Sequence, residues 1–325
     1  MKKRILFSVL LIGVMVIGYS FAASQKPSPR GIYVLVSSRK IANPSLQMDR
    51  ILSKPFVDGV LIAAAWKEIQ PSSESTFDWE PVDRYLRLIK AKGKRASLVV
   101  FTGRNCTPEW VYAKGVRKWT YVNHKGETVT QPNPMDTLFY DLWVDFVKAF
   151  GARYGNDASI VQVSMCGATG TLCGLRFPFG LPAGWNREFV IKQWKRIVDT
   201  YVAAFPEPFL TFEVHTTKGE GLSLAEEMME YNYRTHGAKI GPFEEFLSAT
   251  APMGKLAEIM IKWGPKSGKT WCGFQQARPL GEQLDAGYAH GYNDCSCKYF
   301  EIYKTDLNPA SDSVNQKWHD AIWKE

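Results

Sequence analysis

Several common chemistries are missing from this 325-residue chain. The six cysteines, at 106, 166, 173, 272, 295 and 297, contain no Cys-x-x-Cys pair, and the five histidines are scattered, so spacing gives no reason to expect a metal centre. No Gly-x-Gly-x-x-Gly follows the first strand-like run, and there is no Walker A loop, no His-Glu-x-x-His and no Gly-x-Ser-x-Gly elbow. Gly167-Ala-Thr-Gly-Thr171 is rich in glycine but lacks a lysine and a following helix start, which makes it a poor phosphate loop. No cofactor is therefore expected. Internal repeats, low-complexity runs and a second-domain linker are absent as well.

Charge excludes one partner class. Removing Lys2, Lys3 and Arg4 from the formal +8 leaves +5, scattered along the chain, so nucleic acid is not an expected partner. Those three residues open a pattern of their own. Met1-Lys-Lys-Arg4, the apolar run Ile5 to Phe21 and the small Ala22-Ala23-Ser24 have the three parts of a secretory signal peptide over 1–23, followed by a polar linker over 24–30. No cysteine follows the small residues, which argues against a lipoprotein anchor. A secreted or periplasmic protein, with no stable membrane association after cleavage, is expected. An uncleaved anchor is the alternative, since the run approaches the lower length of a membrane span. Export permits disulfides. Cys166 and Cys173 share one loop and Cys295-Ser-Cys297 is close-spaced, while the pairing and the oligomeric state stay open.

What the chain does contain is alternation of buried strands with amphipathic helices over 31–325. Val57 to Trp66 is nearly unbroken apolar sequence, the pattern of a parallel strand covered on both faces. Val82, Tyr85, Leu86 and Ile89 then fall at helical spacing, with Pro81 suited to the first turn and Gly93 to the stop. Arg95 to Phe101 is the next strand, completing a βαβ unit. Further strands are expected at Gly31–Val36, Ser159–Cys166, Phe209–His215, Lys239–Phe246, Thr270–Gln276 and Lys298–Tyr303. That makes eight, in one pass with intervening helices, so the expected fold is α/β, a single TIM barrel with long loops after strands three and four. Within the loop after strand three, Trp119-Thr-Tyr-Val122 and Glu127-Thr-Val-Thr130 alternate around Asn123 to Gly126 as a hairpin.

The order Gly59-Val60, Trp66, Ile69-Gln-Pro71, Phe77-Asp-Trp79, a helix ending in Gly-Lys, a strand, and Pro108-Glu-Trp110 resembles glycoside hydrolases with a (β/α)8 barrel. It looks most like the catalytic domain of β-galactosidase-type retaining enzymes, over about a fifth of the chain. The resemblance implies a carbohydrate substrate bound in a cleft at the C-terminal face of the barrel. It also implies catalytic glutamates after strands four and seven, and this chain departs at both. Strand four runs into Met165-Cys-Gly-Ala-Thr-Gly-Thr171 without an acid, and strand seven ends Gln275-Gln276-Ala277. An amide can neither form a glycosyl ester nor shuttle a proton near neutral pH.

Other acids offer themselves by period-2 alternation. With Phe300 and Ile302 facing the helices, Tyr299, Glu301 and Tyr303 point inward; by the same logic so do Thr211, Glu213 and His215, and Gln162, Ser164 and Cys166. A buried carboxyl is costly unless paired or protonated, so Glu301 and Glu213 are the first catalytic candidates and Glu245 the reserve. Equally, Glu213 and Glu301 could hydrogen-bond Tyr, His and Gln neighbours and merely order the barrel. Glu244 and Glu245 lie on strand six, where an exposed loop acid is the usual state of such a pair, and Asp306 suits a cap of the turn beyond strand eight. Substrate contacts are expected from Trp66, Arg104, Asn105, Trp110, His215, Gln276 and Tyr303. Three functions stay open: a glycosidase with relocated carboxyls, a carbohydrate binder that kept the cleft and lost both acids, or, on the versatility of the fold alone, a barrel enzyme of unrelated chemistry.

Overall fold

The computed structural model describes residues 27–38, 44–250 and 254–324; the expected signal peptide over 1–23 lies outside the described residues. In chain order the elements are β1 (Gly31–Ser37), α1 (Pro44–Leu52), β2 (Gly59–Ala65), α2 (Trp66–Ile69), α3 (Glu80–Ala91), β3 (Arg95–Phe101), α4 (Glu109–Ala113), β4 (Lys118–Val122) and β5 (Thr128–Pro132). There follow α5 (Thr137–Tyr154), β6 (Ile160–Ser164), α6 (Arg187–Ala204), β7 (Phe209–Glu213), α7 (Ser223–His236), β8 (Ile240–Leu247), α8 (Lys255–Trp263), β9 (Gly273–Gln276), α9 (Leu284–Ala289), β10 (Tyr299–Tyr303) and α10 (Pro309–Trp323).

Eight strands close into a parallel barrel in the order β1-β10-β9-β8-β7-β6-β3-β2, and β4 and β5 form the separate antiparallel hairpin expected from their alternation. β2 is buried at every position, as a strand sandwiched between bore and helices requires. Three helices, α5, α6 and α10, start where a side chain satisfies free N–H groups. Asp136 accepts from Leu138 and Phe139, Asn186 from Phe189, and Asn308 from Ala310 and Ser311. The short α4 and α9 were not legible in the pattern: five and six residues are too few to show a period, and α9 contains Gly287.

The lower half of the bore is aromatic rather than polar. Tyr33, Phe243, Trp271 and Tyr299 form one buried cluster near the strands' N-terminal ends. Glycine makes room for the rings: a Cβ at Gly59 would sit 2.5 Å from the Tyr33 ring, and one at Gly273 would sit 2.8 Å from both Phe243 and Tyr299. Outside the barrel, Trp66 corrects an expectation. It is fully buried between barrel and α5, its ring centroid 5.0 Å from Trp143 and 5.7 Å from Phe146, and its Nε1 donates to Gln70 Oε1 at 2.7 Å. The alternation that ends β2 turns this ring onto the helix layer, so it packs core and does not face a cleft. Among the described residues no helix is long and apolar enough to cross a membrane.

Candidate active site

Three carboxyls converge at the C-terminal end of the bore. Glu213 is the last residue of β7, Glu245 lies near the end of β8, and Glu301 sits at the centre of β10. Together with Ser164, Thr211 and Gln275 they line a cavity of ≈ 20 Å³, room for about one water molecule. One ligand-capable atom from each of Glu213, His215 and Glu245 lies within 4.8 Å of the others. His215 Nε2 is 3.3 Å from Glu213 Oε1, out of line for a hydrogen bond. Nε2 and both Glu213 carboxyl oxygens are buried with no hydrogen-bond partner.

The loop between β6 and α6 roofs this cluster. The Cys166–Cys173 disulfide staples it, and Gly174, at φ +75°, lays its backbone so close that a Cβ there would fall 1.9 Å from Glu213 Oε2. Arg176 from the same loop reaches Glu245 Oε2 with Nη1 at 3.4 Å and places its guanidinium 4.5 Å above the Phe246 ring. That loop leaves Glu213 only 6% exposed and Glu301 1%, whereas the Glu245 side chain keeps 28% of its surface.

Burial and crowding of like charges set the protonation. Loss of water raises Glu213, and the neighbouring Glu245 carboxyl and then the Arg176 charge pull it only part of the way back. Burial, then the neighbouring Glu213 charge, pushes Glu245 well above the carboxylate range. Glu301 is pushed up to about 8, chiefly by burial and against the Tyr299 hydroxyl, which donates to Glu301 Oε1 at 2.7 Å while lying 2.6 Å from Ser97 Oγ. Burial, helped by Arg176, pushes His215 down to about 3, so the imidazole is neutral. Glu213 is thus raised less than the Glu245 carboxyl beside it, which holds its proton.

Other expected residues fall elsewhere. Gln276 is fully buried and its Oε1 accepts from the Tyr303 backbone N–H at 2.9 Å. It ties β9 to β10, and its neighbour Gln275 is the amide that borders the cavity, because Gly273 and Gln275 share the inward face. Trp110 packs edge-on against Trp66 with its Nε1 donating to the Gln70 carbonyl at 2.8 Å, so it anchors the outer shell. Arg104 and Asn105 take φ +43° and +61° in the loop after β3, where the Arg104 N–H donates to Gln131 Oε1 at 3.3 Å and Asn105 is exposed; neither borders the carboxyl cavity. Tyr303 is half-buried, and its hydroxyl is raised by burial and then by the Glu245 charge.

Cys166, expected to point inward, lies past the end of β6, where alternation has ceased: its sulfur is bonded to Cys173 and Met165 takes the place at the cavity. Glu244, expected exposed, is fully buried on the opposite face of β8 from Glu245, with Oε1 accepting from the Phe246 N–H at 3.0 Å. Asp306 caps a different turn from the one expected, accepting from the N–H groups of Leu280 and Gly281. Arg176 and Gly174 were missed altogether, since an irregular loop has no periodicity to read.

No family model matches the sequence, and no curated protein matches it either. Solved structures do. The catalytic domain of a β-amylase from Paenibacillus polymyxa superposes with a TM-score of 0.63 at 12% identity, covering 90% of this chain and 98% of that one. Xylanase 10B from Thermotoga petrophila RKU-1, solved with xylobiose, gives 0.60 at 8% identity over 90% and 94% of the two chains. A β-galactosidase from the psychrophilic Marinomonas ef1 gives 0.57 at 10% identity over 90% of this chain and 59% of that one. The fold is therefore a (β/α)8 barrel, shared with these three structures.

Proposed function

We propose that the protein acts on an oligo- or polysaccharide at the C-terminal rim of its barrel, with Glu213, Glu245 and Glu301 as the reacting carboxyl set. The observation that carries this reading is the convergence of those three acids at one end of a barrel whose fold is shared with glycosidase catalytic domains. Glu213 and Glu245 present oxygens within 4.8 Å of each other, near the separation of about 5 Å used by retaining glycosidases and short of the gap that inversion needs for a water. Glu213, the readier to ionise, serves as nucleophile, and Glu245, protonated and the most accessible, as acid and then base. Glu301 supplies a further proton below them. The cavity is too small for a sugar ring, so the substrate lies across the rim at Glu245 and Tyr303, and the 167–177 loop shifts to bare Glu213. Export, expected from residues 1–23, would bring the enzyme to extracellular polymers; mass spectrometry of the mature N-terminus checks it.

A non-catalytic carbohydrate binder is the second reading, favoured by how completely Glu213 and Glu301 are covered. Screening the mature chain against aryl glycosides and plant or bacterial polysaccharides separates the two. Turnover that falls by at least about 100-fold in both Glu213→Gln and Glu245→Gln supports the enzyme. Sugar binding without turnover, unchanged by either substitution, leaves only the binder.

A further inference from the structure

Glu213 and His215 stand two residues apart, so the β7 pleat and its continuation turn both side chains to one side, and Glu245 meets them from the adjacent β8. We propose that these three side chains bind one divalent transition-metal ion of the zinc class at the barrel rim. A zinc-type ion takes imidazole nitrogen and carboxylate oxygen at roughly 2.0–2.2 Å, which brings its ligands to about 3–4 Å from one another. The three donor atoms lie within 4.8 Å, and the His215–Glu213 pair is already at 3.3 Å. Glu245, whose side chain keeps 28% of its surface, is the donor with the most room to adjust.

The second observation is the state of the donors. His215 is 3% exposed and Glu213 6%, yet Nε2 of one and both oxygens of the other have no hydrogen-bond partner. Buried polar atoms are normally satisfied, and a cation between them satisfies them together. Arg176 does not: its guanidinium contacts Glu245 Oε2, at 3.4 Å, and leaves the other donors bare. The cavity of ≈ 20 Å³ beside the acids has room for one water, the fourth ligand an open tetrahedral site keeps. Calcium fits poorly, since it takes six to eight oxygens, about twice the number of donors here, and has no use for an imidazole.

This inference does not rest on the carbohydrate reading. An occupied site holds Glu213 and Glu245 as ligands, and an empty one leaves them as a free carboxyl pair, so the two states of one pocket differ in chemistry. The test uses the full chain, stripped with EDTA and titrated with Zn2+ by calorimetry, with Ca2+ as control and metal content measured after desalting. One equivalent of tightly held zinc is expected, falling by at least about 100-fold in affinity in Glu245→Gln and in His215→Gln, each checked for folding by circular dichroism. Arg176→Met, which removes no ligand, should retain it. Zinc binding that survives both ligand substitutions, or less than half an equivalent retained by the wild-type chain, overturns the proposal. Should the variants unfold, Co2+ added to the wild-type chain decides: visible bands of a nitrogen- and oxygen-ligated ion support the site, and their absence refutes it. Glycoside turnover is assayed separately with and without chelator, so its failure leaves the metal result standing.

Discussion

Glu301 is the residue where burial and ionisation conflict most openly. Burial pushes its carboxyl up to about 8 in the folded chain, from an ordinary value of 4.5. Between those two values the folded protein keeps a proton that the unfolded chain has released. Its contribution to stability is therefore full below about pH 4.5 and is lost as pH rises through 8, by up to about 1.4 kcal/mol per pH unit within the window. Glu301→Gln, measured by thermal melting of chelator-treated protein from pH 5 to 8, should flatten that decline; parallel slopes for the two proteins would refute the assignment. The inward direction of Glu301 was legible because Phe300 and Ile302 flank it in a strand that alternates cleanly. The approach of Glu245 to Glu213 and His215 was not, because Glu245 comes from another strand and the sequence does not print adjacency between strands.

At the scale of elements, the β6–α6 loop decides how the carboxyls meet solvent. Gly174 and Gly184 both have left-handed backbone, at φ +75° and +72°, but only at Gly174 would a Cβ meet Glu213; at Gly184 nothing lies within 4 Å. Both Gly→Ala changes should cost about 1–2 kcal/mol of backbone strain, and Gly174→Ala should cost more, with the difference reporting the clash. Urea midpoints of the pair measure this, and equal midpoints would show that the loop does not press on Glu213. Replacing both Cys166 and Cys173 by Ser frees the staple and should lower stability by about 2–3 kcal/mol, read from the same titration. The two cysteines were visible as neighbours on one loop, but nothing in their spacing foretold that the loop would lie over the acids. Gln275 shows the reverse case: the strand was legible, and one residue of register separated the amide that borders the cavity from the one that ties β9 to β10.

For the whole molecule, closure depends on the seam between the first and last strands. α10 crosses it: Trp318 Nε1 donates to Asp285 at 2.7 Å, Asn315 Nδ2 to the Asp306 carbonyl at 2.9 Å, and His319 lies 3.3 Å from Asp58, which itself accepts from the Ile32 N–H that opens β1. Ending the chain after Asn308 should therefore abolish cooperative melting rather than lower its midpoint, a result that differential scanning calorimetry reads directly; a sharp transition in the truncated chain would place the seam's stability elsewhere. The barrel was legible because eight buried strands and the helices between them repeat one alternation, and repetition survives the loss of any single element. Its contents were less so, since Gly59 and Gly273 serve the bore by what they leave empty.

That vacated space has a consequence for traffic. Among the described residues the rings of Tyr33, Phe243, Trp271 and Tyr299 stopper the bore at its lower end, which leaves the upper end as its neck. Whatever reaches Glu301, whether a proton, a water or an ion, comes by way of the rim, where the stapled loop lies over the acids.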